Sequence, residues 1–260
     1  MAVVLAGGCR VSEMREGEPI ANGTLRVWNH IGKATGAQAI SLRVMEFAPG
    51  LSPVIQNDDC DQILYVVNEV RTACVSGPAN IFVDDQSYEV AADTGIYLRP
   101  NRRFAIENPT SDAIVIISSQ CPDPARGPLF VDAPTTPEDS RVKDRVPFVQ
   151  LADQKAQSTA DRWYRVLIDD RVGSEQVTQF VGSIPPGRAP DHFHHYEEVL
   201  FILKGEGRMW AGETNTPVTV GSCIYLPKGQ VHCVENTGEG ELRLLGVFYP
   251  AGSPSVRYDV

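Results

Sequence analysis

Gln62-Ile-Leu-Tyr-Val-Val67 and Glu198-Val-Leu-Phe-Ile-Leu203 are close to one six-residue string written twice. Each run is short, β-branched, aliphatic or aromatic, and follows a polar first position, which reads as a strand. The likeness continues outward. Gly95-Ile-Tyr-Leu-Arg-Pro100 followed by Ile106-Glu-Asn108 matches Cys223-Ile-Tyr-Leu-Pro227 followed by Val234-Glu-Asn236, and Cys121-Pro122 matches Tyr249-Pro250. Other short runs, such as Ser41–Phe47, Ala113–Ile117 and Leu242–Tyr249, are separated by Gly, Pro, Asn and Asp. This pattern predicts an all-β protein built from sandwiches or barrels, duplicated within one chain.

The repeat sets the expected organisation: an N-terminal arm over 1–35, a first barrel over 36–120, a linker over 121–155 and a second barrel over 156–260. The linker is marked by Pro, charge and lack of periodicity. A short helix is expected only around Asp153–Asp161. With 260 residues, 42% hydrophobic and 22% charged, the chain has ample material for a core. A net charge of −10 argues against nucleic acid or an anionic membrane surface as partner. No run approaches the ~18 apolar residues of a membrane span. The six cysteines form no CxxC pair, and Met1–Cys9 lacks the basic start and long apolar core of a secretion signal. A cytoplasmic setting with reduced thiols is therefore expected.

Histidine is scarce, and four of the five lie in two places. The first reads Gly187-x4-His192-x-His194-x3-Glu198-x6-Gly205, the second Gly221-x5-Pro227-x-Gly229-x2-His232-x3-Asn236. Strand side chains alternate faces, so His192 and His194 point the same way, Glu198 follows at an even step, and His232 comes from a neighbouring strand. Three imidazoles and a carboxylate suit one divalent metal and leave coordination positions open, as a catalytic site requires. By the same alternation His195 and Glu197 point away, with Glu197 a fallback ligand if the strand is bulged. His30 is expected to have a local structural role.

These two motifs resemble the paired motifs of the cupin superfamily, and the duplication resembles a bicupin whose metal motifs survive only in the C-terminal half. The resemblance implies two tandem jelly-roll barrels, double-stranded β-helices, with the metal inside the second. It favours Mn or Fe, with Ni, Co, Cu and Zn open to the same ligands. Aligning the first half by motif places Gln56, Asp58, Gln62 and Phe104 where His192, His194, Glu198 and His232 stand, so no second metal site is expected. Arg188, Tyr225, Met209, Trp210 and Phe248 are candidates for the pocket wall, and no substrate-binding residue can be named.

The leading expectation is a metal-dependent oxidoreductase, dioxygenase-like, acting on a small chelating enol, diketone or hydroxy/keto acid. His192, His194, Glu198 and His232 hold the metal, and Glu198 doubles as proton acceptor. The alternatives are redox-neutral chemistry (isomerase, cyclase, lyase or aminohydrolase) and a non-enzymatic metal or small-ligand binding protein. The layout is similar to bicupin ureidoglycine aminohydrolases and polyketide cyclases, although the glutamine ligand of those families is missing. Homodimerisation by edge-strand pairing is open.

Overall fold

The computed structural model describes residues 1–67, 69–70, 73–74, 78–84, 86–132, 145–159 and 161–255. Part of the expected linker (133–144), the last residues of the second barrel (256–260) and the Cys74 side chain lie outside the described residues. Among those described there is no α-helix, only 3-10 turns such as Lys33–Thr35 and Asp170–Val172.

Each half is a β-sandwich of one long and one short antiparallel sheet. In the C-terminal half the long sheet carries, in order, Ser222–Leu226, Glu197–Lys204, Leu242–Tyr249, Thr178–Ile184, Arg162–Ile168 and Gln157–Thr159. The short sheet facing it runs Gly187–Arg188, His232–Asn236, Glu206–Ala211, Thr214–Thr219. The N-terminal half repeats this, with Thr94–Leu98, Asp61–Val66, Ile114–Cys121, Leu42–Phe47 and Leu25–Ile31 in its long sheet. The two near-identical strings are thus central strands, each paired on both sides, which explains their unbroken apolar character.

Side-chain alternation divides the apolar residues into three cores. One fills the N-terminal barrel (Val27, Phe47, Leu64, Ile81, Phe104), and a second lines the C-terminal barrel (Tyr164, Phe180, Leu200, Met209, Phe248). The third joins the barrels, with Val44, Tyr65 and Val67 meeting Leu167, Val199, Phe201 and Leu245. Polar clamps frame that join. The Glu197 carboxylate, turned away from the histidines, accepts the backbone N–H groups of Gln38 and Ala39, each at 2.7 Å, and the Tyr225 hydroxyl. At the equivalent place in the first barrel, Tyr97 donates to Asp61 at 2.8 Å.

The segments expected to be arm and linker carry strands. Arg10–Glu13 pairs with Ser222–Leu226 of the second barrel, whereas Phe148–Gln150 pairs with Thr94–Leu98 of the first. The strand leading into each half thus completes the long sheet of the other. Their few residues are too short for periodicity, and their partners are distant in sequence. His30 pins one exchange: its Nε2 donates to the Met14 carbonyl and its Nδ1 meets the Ser12 hydroxyl, both at 3.0 Å. The helix expected over Asp153–Asp161 is corrected. Leu151–Asp153 is one 3-10 turn and Gln157–Thr159 an edge strand, because hairpin pairing with Arg162–Tyr164 outweighs the helical preference of Gln, Lys and Ala.

Candidate metal centre

His192 and His232 meet across a β-bridge, exchanging backbone bonds of 3.1 and 2.8 Å. Gly229 shapes the turn before His232. It has φ +78°, favourable for glycine, and its N–H donates to the His194 carbonyl at 2.8 Å. The chain bends at His195-Tyr196 and enters a strand at Glu197, which brings Glu198 back to the same interior. One ligand atom from each of His192, His194 and His232 lies within 4.8 Å of the others. The Glu198 Oε2 is 3.6 Å from Nε2 of both His194 and His232. The four residues singled out by spacing therefore converge.

Hydrogen bonding fixes how the rings present themselves. The Nδ1 atoms of His192 and His232 face the carbonyls of Pro190 and Gln230 at 3.1 and 2.8 Å. A carbonyl only accepts, so each Nδ1 carries a proton and Nε2 is the nitrogen left to meet a metal. The His194 ring stacks on Tyr196 at 4.7 Å, and its buried Nδ1 has no hydrogen-bond partner. Burial pushes the His192 pKa down to about 4, reinforced by His232, and burial also lowers that of His194. Burial opposes charge on Glu198, but the neighbouring imidazoles outweigh it and hold the carboxyl below its usual range. Three imidazoles gathered beside a buried carboxylate form a donor set that fits a divalent metal.

These groups line one side of a cavity of about 110 Å³. Its remaining wall is mainly apolar, including Tyr164, Phe180, Leu244 and Phe248, with Arg162 the sole Lys or Arg among the described residues. Of the five expected wall residues, Phe248 alone lines the cavity. Arg188 stacks on Trp210 at the surface, Tyr225 faces the inter-barrel core, and Met209 is buried without reaching the cavity. His195 is exposed, and Glu197 is committed to the inter-barrel clamp. Arg162, Tyr164 and Phe180 were not recognised from sequence. Extending the repeat to the first strand of each half is the signal that marks them.

The pseudo-equivalent place in the first barrel corrects one alignment. Gly50 and Leu51 pair with Asn108 and Glu107 as Gly187 and Arg188 pair with Asn236 and Glu235. Ile55 lies opposite Phe104 as His192 lies opposite His232. The counterpart of His192 is therefore Ile55, not Gln56, and the extra residue falls between Ile55 and Asp58. Asp58 pairs with Arg126, and the Gln62 amide donates to the Ser118 hydroxyl at 3.0 Å. With Ile55 and Phe104 in its apolar interior, this barrel gathers no comparable set among the described residues.

A model of the cupin domain matches residues 180–248, spanning all four converging residues. An oxalate-binding protein from Thermotoga maritima is 35% identical over 67 residues, 25% of this chain and 55% of that protein. The first curated relatives are matched over 42 to 70% of their own lengths. Among solved structures, a putative glyoxylate-induced protein from Pseudomonas aeruginosa superimposes with a TM-score of 0.72 at 15% identity, covering 97% of this chain and 93% of that one. A Bacillus subtilis oxalate decarboxylase variant gives 0.72 at 12% identity, with 94% and 78% covered. Those two likenesses speak to fold alone, and they span both barrels. The chain belongs to the cupin superfamily, as a bicupin that keeps its histidine motif in the C-terminal barrel only.

Proposed function

We propose that His192, His194, Glu198 and His232 hold one divalent metal, and that the C-terminal barrel is the active site of an enzyme acting on a small chelating molecule. The observation carrying this is the convergence of three imidazoles and one carboxylate on a cavity that can also admit a ligand. Mn or Fe is the favoured ion. When bound, such a metal supplies a Lewis acid and, with Mn or Fe, a redox centre. The chain supplies the rest. Nδ1 bonds to Pro190 and Gln230 orient two rings, the aromatic wall excludes water, and Glu198 holds negative charge where a substrate proton is to be moved.

The leading reaction is dioxygenase-like oxidation, supported by the small, largely apolar cavity next to the ligand set. Redox-neutral chemistry is the second reading, favoured by Glu198, since a carboxylate kept ionised in a buried site can move a proton without oxygen. Metal-loaded protein given chelating enols, diketones and 2-oxo acids, with and without oxygen, separates the two. Oxygen uptake coupled to substrate loss supports the first, and anaerobic turnover supports the second. Stoichiometric metal with no turnover of any such compound contradicts the assignment as an enzyme and leaves a binding protein.

A further inference from the structure

Two of the three histidines are oriented from Nδ1, by a carbonyl two residues back: Pro190 for His192 and Gln230 for His232. A metal-ligating imidazole ordinarily has such a partner, which fixes the direction its other nitrogen points. His194 has none among the described residues. Its Nδ1 is buried without a hydrogen bond, and its side chain is only 6% exposed.

Tyr196 lies against it instead. The two rings are stacked, with centroids 4.7 Å apart and planes 11° from parallel, so turning the imidazole out of that plane would drive it into the phenol. The phenol is itself held on three sides. Its hydroxyl donates to the Ser253 carbonyl at 3.2 Å, and the Phe248 ring sits 4.5 Å away. On the third side the backbone of Gly252 passes so close that a Cβ there would run into the ring. Phe248 also reaches His194, at 5.5 Å.

Internal duplication supplies a control. Leu25–Ile31 and Arg162–Ile168 bulge at the same step and pair with Leu42–Phe47 and Thr178–Ile184 in the same register, so Leu25 corresponds to Arg162 and Met45 to Gly182. The central strands align likewise, with Gln62 opposite Gln120 as Glu198 is opposite Phe248. The carbonyls of Asp58 and His194 accept from the N–H groups of Asn101 and Gly229, which puts Cys60 in the place of Tyr196. These two positions touch in both barrels. In the first, Gln120 Nε2 donates to the Cys60 Sγ at 3.6 Å; in the second, two aromatic rings meet. The barrel that lacks the histidines also lacks the aromatic brace.

We propose that Tyr196 is a positioning residue of the metal centre: by stacking, it orients His194 as the carbonyls orient His192 and His232. The inference rests on the metal assignment above and adds a residue outside both the ligand set and the cavity lining.

The test is titration of metal-free protein with cobalt(II), followed by its visible absorption, with folding checked by circular dichroism. Tyr196→Leu keeps an apolar side chain and loses the stack. Its cobalt(II) affinity should fall about tenfold or more, the cost of losing the group that orients a ligating ring, and the absorption of the bound ion should change. Tyr196→Phe keeps the ring and should bind close to wild type with the wild-type absorption. Met209→Ala loosens the same barrel core without reaching the cavity, and should leave affinity and absorption as they are. Gly252→Ala presses on the Tyr196 ring from behind and should weaken cobalt(II) in the same direction. The proposal is overturned if folded Tyr196→Leu loses no more affinity than Met209→Ala, or if Tyr196→Phe loses as much as Tyr196→Leu. Should Tyr196→Leu not fold, wild-type affinity in Gly252→Ala overturns it. A wild type that takes up no cobalt(II) instead contradicts the site assignment on which the proposal stands.

Discussion

In the N-terminal barrel Leu25, Met45, Ile55 and Phe104 fill the interior; at the same strand positions the C-terminal barrel has Arg162, Gly182, His192 and His232. The strands, their order and the clamps at the join are shared, so the difference lies in which side chains point inward. One barrel is closed by dispersion and apolar burial, while the other gives up packing to hold polar groups around a cavity. The first then serves the second mechanically. It contributes the strand Phe148–Gln150's partner sheet, receives Glu197 on the amides of Gln38 and Ala39, and covers the outer face of the long sheet that carries Glu198.

The largest stability effect expected from this contrast is at Phe104. Phe104→Ala should cost about 3–5 kcal/mol, the range for a fully buried aromatic, whereas His232→Ala in metal-free protein should cost clearly less. Denaturant unfolding of both variants checks this, and equal losses would break the distinction between a packed and an opened interior. Next comes the clamp. Glu197→Gln keeps shape but removes the charge that two backbone amides and Tyr225 address, and should cost about 2 kcal/mol. If melting is unaltered, the barrels are not held together through this residue.

The smallest effect is a pH dependence of the metal-free protein. The His192 ring takes up its proton near pH 6.5 when unfolded and only near pH 4 when folded. Between those values the unfolded chain binds more protons, so stability is full above about pH 6.5 and declines as pH falls toward 4. His194 acts in the same direction. Unfolding midpoints from pH 7.5 to 4 for wild type and His192→Gln measure it; a slope unchanged in the variant would show that His192 is not the group responsible.

Much of this was legible beforehand, for identifiable reasons. Burial on both faces left the two central strands as unbroken apolar runs, and the duplication made each confirm the other. The convergence of His192, His194, Glu198 and His232 followed from residue type and spacing. The exchanged strands Arg10–Glu13 and Phe148–Gln150 are not legible in the sequence because three or four residues carry no period and their pairing is wholly long-range. Ile55 was misplaced by one because a loop absorbed an extra residue without leaving a mark in composition. Arg162 was passed over because a single arginine near a strand start reads as surface until its counterpart, Leu25, is seen to be core.

The central claim is that one barrel holds a metal and the other does not. Elemental analysis of gently purified wild type beside His194→Ala tests it most directly. The account predicts one divalent ion per folded chain in the wild type and loss of that ion from the variant, with the fold retained by circular dichroism. A folded variant that keeps its full metal, or a wild type holding two ions per chain, would contradict it.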